Sequence, residues 1–136
     1  MKLGLAEIIK KTSELPTRQE KINFLIQNES IPLRIVLKAA NDPNLIWDLP
    51  EGAPPYKPSN LTDNQGMLYT EIDRFPIFLK GGRDDVPPKR KQILFIQMLE
   101  SIDAEDAKLV IAIKEKKLPY KGITTKIISE AFPGLI

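Results

Sequence analysis

Lysines carry the clearest potential for chemistry in this sequence, and five of them surround one glycine near its end. They lie in the run KEKKLPYKGITTK, where Thr124 is expected to cap a helix. Backbone N–H groups at a helix start, together with nearby ammonium groups, can hold a phosphate. A solvated lysine face that ends a helix is the plainer interpretation, and the residue types alone leave both open. The candidate residues are Lys114, Lys116, Lys117, Lys121, Gly122, Thr124 and Lys126.

A second basic cluster opens the helical pattern KRKQILFIQMLESI. Cations in the first turn oppose the helix dipole and cost a few tenths of a kcal/mol unless an anion compensates. This conflict favours a role in binding phosphate, whereas internal pairing with Asp84 and Asp85 is the plainer account. The cluster comprises Arg83, Lys89, Arg90 and Lys91.

Two absences exclude most catalytic chemistry. The chain has no Cys and no His, so thiolate nucleophiles, thiolate zinc sites, Ser-His relays and imidazole bases are excluded. Neither the P-loop pattern nor the dinucleotide-binding glycine pattern occurs. The acidic group Glu100, Asp103, Glu105 and Asp106 could hold a metal only if its oxygens converged, and helix capping already explains two of its members. We therefore expect no enzyme, no cofactor, no metal and no small-molecule substrate.

Length and charge fit one small domain. The 136 residues are 42% hydrophobic and 28% charged, which is the composition of a soluble globular protein. The net charge of +2 is too slight to identify a nucleic-acid binder by itself. No apolar run is long enough to span a membrane, and the N-terminus lacks the pattern of a signal peptide. A cytoplasmic location is expected.

Periodic apolar residues predict an all-α single domain over residues 1–136, with six or seven helices and no strands. Thr17, Ser30, Asp103 and Thr124 are the expected N-caps. The helix that follows Asp103 is almost entirely apolar and should be central. Pro76 should kink or end the helix before it. The side chains expected to form helical stripes include Ile22, Leu25, Ile26, Ile93, Leu99, Ile127, Ile128, Ala131 and Phe132.

Residues 43–66 form a long Pro-rich loop without a sustained period. A loop of this length in a small domain is either functional or packed by its own side chains. Trp47 and Tyr56 could pin it to the core as a strap, or the prolines could offer a surface to a partner protein. Stacking of Trp47, Tyr56, Tyr69 or Phe75 on nucleic-acid bases is a further alternative, although aromatics beside prolines more often anchor a core.

The two ends of the chain resemble a known domain. The stretch DAKLVIAIKEKKLPYKGITTKIISEAFPGLI is similar to the end of the N-terminal DNA-binding domain of ATP-dependent DNA ligases, particularly those of large tailed phages. Upstream, residues 5–40 resemble the opening helices of the same domain. The resemblance implies that the loop at Gly122 and the following helix start lie against the DNA backbone in the minor groove. The Pro-rich middle matches only loosely.

One departure from the ligase pattern concerns catalysis. Ligases need a Lys-x-Asp-Gly motif for adenylation, and this sequence has none. The whole chain also looks like small proteins of large tailed phages, which implies a phage origin. The leading hypothesis is a non-catalytic protein that binds double-stranded DNA through its backbone without sequence specificity. The alternative is an adaptor that keeps the fold without DNA affinity and binds a phage or host protein in replication, transcription or virion assembly.

Overall fold

The helices begin and end where the sequence supplies caps and breaks. The computed structural model describes residues 4–57 and 67–135, and over these residues the chain is all-α, without a strand. Residues 58–66 of the expected Pro-rich loop and the terminal Ile136 lie outside the described residues. The helices are α1 (Leu5–Glu14), α2 (Arg18–Gln27), α3 (Ile31–Asn41), α4 (Met67–Glu71), α5 (Phe75–Phe78), α6 (Pro88–Ser101), α7 (Ala104–Lys114) and α8 (Thr125–Ala131).

The four expected N-caps are confirmed. The Thr17 hydroxyl accepts a hydrogen bond from Glu20 N at 3.2 Å, as in a capping box. The side chains of Ser30, Asp103 and Thr124 each accept from a backbone N–H in the first turn of α3, α7 and α8. At the other end of α3, Asp42 is the C-cap, as the Asn-Asp-Pro sequence predicts. These local bonds fix where each helix starts relative to its neighbours.

Helix α7 lies at the centre of the core, as its apolar composition predicts. It packs against α1, α3 and α6, and its buried residues include Leu109, Val110 and Ile113. Helix α8 packs mainly on α2, and Ile127, Ile128 and Phe132 face inward as expected. Edge-to-face aromatic contacts at 5.3 Å join Phe78 to Phe95 and Trp47 to Phe75.

Two isoleucines of the expected stripes are not buried. Ile26 is 48% exposed and Ile93 is 47% exposed. Helix α2 packs mainly on α1 and α8, and its buried residues are Ile22 and Leu25. In α6, the buried side chains are Lys91, Phe95, Met98 and Leu99, and of these four only Leu99 belongs to the expected stripe.

The segment before Pro76 is broken into short turns. Helix α4 passes into a 3-10 turn at Ile72–Arg74, and Pro76 lies in the first turn of α5. Proline is tolerated there because the N–H it lacks has no helical partner. The helix therefore ends slightly earlier than Pro76, and the proline starts a new turn instead of kinking the old one.

Residues 43–57 form an extended strap across the ends of α5, α6 and α7. The indole of Trp47 is buried against Phe75, and Tyr56 packs partly buried on the core. Backbone bonds join Asp48 N to Phe78 O at 2.7 Å and Lys80 N to Ile46 O at 2.8 Å. The expected aromatic anchoring of this segment is confirmed. At the other end of the chain, Leu135 packs partly buried on the core.

Candidate nucleic-acid interface

Three of the lysines predicted to contact DNA have ammonium groups that bind other groups of the protein itself. The first is Lys91, whose side chain is 1% exposed and whose Nζ lies 2.9 Å from Asp48 Oδ2. Asp48 belongs to the strap, so this buried ion pair ties the strap to the start of α6. Asp48 is itself 33% exposed, which leaves its carboxylate partly hydrated.

Lys114 makes the corresponding connection at the end of α7. Its Nζ donates to Pro50 O at 2.8 Å and to Glu115 Oε2 at 3.1 Å. The neighbouring carboxylate holds the strap as well, because Gly52 N donates to Glu115 Oε1 at 2.6 Å. That N–H, and then the Lys114 ammonium group, hold the pKa of Glu115 below its ordinary value. Lys91 of α6 and Lys114 of α7 thus both bind the strap.

Lys116 caps the end of α3 from across the core. Its Nζ donates to Ala39 O at 2.9 Å and to Asp42 O at 2.6 Å, where a helix leaves carbonyl groups without partners. Burial lowers the pKa of Lys116, although the Asp42 carboxylate acts in the opposite direction. The backbone of Lys116 is left-handed, with φ of 61°. These contacts give Lys91, Lys114 and Lys116 structural roles, and burial keeps Lys91 and Lys114 from reaching a phosphate in this conformation.

Other predicted DNA contacts remain on the surface around the loop between α7 and α8. Lys117, Lys121 and Lys126 are exposed, and their ammonium groups make no ion pair or hydrogen bond within the described part of the chain. We call these three the loop lysines. Gly122 is also exposed, and the Thr124 hydroxyl is occupied in capping α8.

The loop is held in place by a residue that the sequence did not single out. Lys21 of α2 donates from Nζ to Gly122 O at 2.8 Å. Gly122 has φ of +97°, a conformation that other residues rarely adopt. The helices α2 and α8 that flank this contact are further joined by an ion pair between Arg18 and Glu130. No local motif marks Lys21, since its role depends on the packing of α2 against α8.

The second basic cluster is placed differently. Lys89 and Arg90 are exposed at the start of α6. Arg83 pairs with Asp85, with Nε 2.9 Å from Oδ1, and this pairing lowers the pKa of Asp85. The internal pairing considered for Arg83 is therefore present, and Asp84 accepts from Gly81 N at 3.0 Å.

The strap contacts one buried lysine of each basic cluster. The strap runs from its bond with Lys91 to its bond with Lys114, and it carries Asp48 and Glu51 along this course. Glu115 joins the strap at Gly52. The exposed cations of the two clusters belong to different parts of the chain, one set at the Gly122 loop and the start of α8 and the other at the start of α6.

The acidic group considered as a metal site has structural roles. Asp103 caps α7, and Glu100 Oε2 accepts from Lys57 N at 2.8 Å. Asp106 accepts from the backbone of α1 and lies fully inside the protein. Within residues 4–57 and 67–135 there is no group of three carboxylates arranged to hold a metal ion.

A groove of about 350 Å³ separates the strap from α6. It is bordered by Leu49, Pro54 and Phe95, and its polar groups are Glu51, Gln92 and Lys114. Its lining is largely apolar, and the prolines of the strap form one wall.

None of the helices described is long and apolar enough to cross a membrane.

The comparison with known proteins identifies a family but no individual related protein. Neither a curated protein nor a solved structure matches the chain. The family model described as "Family of unknown function (DUF6433)" matches residues 8–120, a range that includes α2 to α7 and the strap. Because residues 8–120 make up most of the chain, the chain belongs to the DUF6433 family.

Proposed function

We propose that the protein is a non-catalytic module that binds double-stranded DNA through its phosphate backbone, without sequence specificity. The observation that carries this proposal is the set of three exposed loop lysines, Lys117, Lys121 and Lys126, whose ammonium groups have no partner among the described residues. Lys117 and Lys121 lie in a loop that is fixed by Lys21 and by the left-handed Gly122, and Lys126 lies in the first turn of α8 beside it. A fixed loop presents its charges with less loss of conformational freedom on binding.

Backbone binding follows from the type of residue. An ammonium group binds a phosphate as a point charge, and contacts to phosphates carry no sequence information. Three lysine–phosphate contacts correspond to a slope of about −3 when the logarithm of the binding constant is plotted against that of the salt concentration. With a net charge of only +2, affinity should be modest and confined to low salt.

A fluorescence-anisotropy titration with a labelled duplex tests this proposal. We expect the combined variant Lys117→Glu, Lys121→Glu and Lys126→Glu to lose binding by at least about tenfold, since each change replaces an attraction with a repulsion. The matched control carries the same charge change at Lys38, Lys57 and Lys80, which are exposed elsewhere. Equal losses in both variants would show a general charge effect and would contradict an interface at the loop.

The second patch can be tested in the same titration. Lys89→Glu with Arg90→Glu removes the exposed cations at the start of α6. If the loop alone contacts DNA, this variant should bind like the control. A loss as large as that of the loop variant would extend the interface to the start of α6.

A protein-binding adaptor is the second candidate, and the groove between the strap and α6 favours it. An apolar groove with a proline wall suits the apolar side chains of a partner protein better than a phosphate. The absence of duplex binding at low salt, with the folded state intact by circular dichroism, would refute the DNA proposal and leave this one.

A further inference from the structure

A carboxyl group is buried without a counter-charge where α1 meets α7. Asp106, in the first turn of α7, is only 1% exposed. Its Oδ1 accepts a hydrogen bond from Ala6 N at 2.9 Å, and its Oδ2 is buried without a partner in the described structure. The N-cap residue of α1 is Gly4, which has no side chain to cap the helix. Asp106 therefore supplies from another helix the cap that α1 lacks.

The surroundings of this carboxyl group are mostly acidic. It borders a cavity of about 140 Å³ at the start of α1. Burial raises the pKa of Asp106 to about 6, and nearby carboxylates add to the effect, whereas the bond from Ala6 N acts against it. The titratable groups that face it are Glu7 and Lys10 from α1, Asp103 and Glu105 from α7, Tyr69 from α4, and Tyr120 from the loop.

We propose that Asp106 is a proton-operated latch between α1 and α7, in which the protonated carboxyl group holds the start of α1 in place and loss of the proton loosens it. Burying the neutral acid avoids the cost of a desolvated charge, whereas the carboxylate is more stable once α1 detaches and water reaches it. This inference does not depend on DNA binding.

The direction of the pH effect follows from linkage. When α1 detaches, Asp106 returns towards its ordinary pKa of 3.8, so the opened state holds fewer protons than the closed state between pH 3.8 and about pH 6. Opening must therefore become more favourable as the pH rises through this window, and it should level off above it. Opening that releases Asp106 should be about 25-fold more frequent at about pH 7.5 than at about pH 4.5.

The first test uses the unaltered protein. The side-chain carboxyl ¹³C shift of Asp106 and the amide shift of Ala6 should titrate together with a midpoint near 6. A midpoint close to 3.8, the ordinary value of an aspartate, would overturn the proposal. This measurement decides the matter even if a substitution at Asp106 prevents folding.

The second test measures opening itself. Hydrogen exchange of the α1 amides, corrected for intrinsic rates, should show the pH-dependent opening in the wild type. Asp106→Asn retains an oxygen for Ala6 N and cannot ionise, so its opening should be independent of pH. Glu7→Gln is the matched control, because it removes a carboxyl group at the rim of the same cavity. It should keep the wild-type pH dependence. An Asn variant with the wild-type pH dependence would refute the latch.

Discussion

Removing Asp48 should cost the protein more stability than removing Lys91, although each change breaks the same ion pair. The Lys91 side chain is 1% exposed, whereas that of Asp48 is 33% exposed. Asp48→Ala leaves an ammonium group buried without its carboxylate. Lys91→Met leaves a carboxylate that water already reaches, and it fills the core with an apolar chain of similar volume.

The magnitudes follow from this asymmetry. An unpaired charge in a protein interior costs about 3 to 5 kcal/mol, so Asp48→Ala should lower the free energy of unfolding by about that amount. For Lys91→Met, we expect a loss of about 1 kcal/mol, because replacing a buried charge by a packed apolar group is often close to neutral. The double variant should be more stable than Asp48→Ala alone, since it no longer buries the ammonium group.

Equilibrium unfolding in urea near neutral pH measures all three variants. The free energies should rank Lys91→Met above the double variant, and the double variant above Asp48→Ala. Lys89→Met, at an exposed position in the same helix, is the control for replacing a lysine and should change stability by less than about 0.5 kcal/mol. If Lys91→Met proved as costly as Asp48→Ala, the argument from buried charge would be wrong.

Three further predictions concern single positions and use the same urea assay. Gly122→Ala should cost more than Gly52→Ala; both have positive φ, but only at Gly122 does a new Cβ lie 2.8 Å from a neighbour, the Lys21 ammonium group. Equal losses would mean that this contact adjusts freely. Lys116→Met should cost about 1 to 2 kcal/mol, because it removes the donor to Ala39 O and leaves Asp42 O with Leu45 N alone, and a neutral result would show that water replaces the ammonium group. Thr17→Ala should cost about 1 kcal/mol as a lost N-cap, whereas Thr17→Ser should be almost neutral.

The helix starts could be predicted because their signals are local. Thr17 and Ser30 each cap a helix whose first turn follows directly in the sequence. The central position of α7 could also be predicted, since a helix apolar on most sides must be surrounded. Ile26 was misplaced because its exposure depends on which helices pack on α2, and the sequence of α2 does not determine these neighbours.

The roles of the lysines were only partly visible in the sequence. By type, Lys91 and Lys89 look alike, yet one is buried and the other exposed. A helical spacing that places Lys91 four residues before the buried Phe95 does indicate an inward direction. For Lys116 and Lys21 there is no such signal, because their acceptors belong to elements distant in the sequence.

The internal bonds of Lys91, Lys114 and Lys116 have a consequence for chemical footprinting. Amine-reactive reagents must reach the nitrogen, so Lys91 and Lys114, which are buried, should react slowly in the free protein. Lys116 is half-buried and its lowered pKa favours the reactive neutral amine, so it should react faster than these two. The loop lysines should react readily. A lysine that stays unlabelled in a mixture with DNA is thus not in itself a sign of contact. Protection has to be measured against the labelling of the free protein, and only the loop lysines, Lys89 and other exposed lysines can report it.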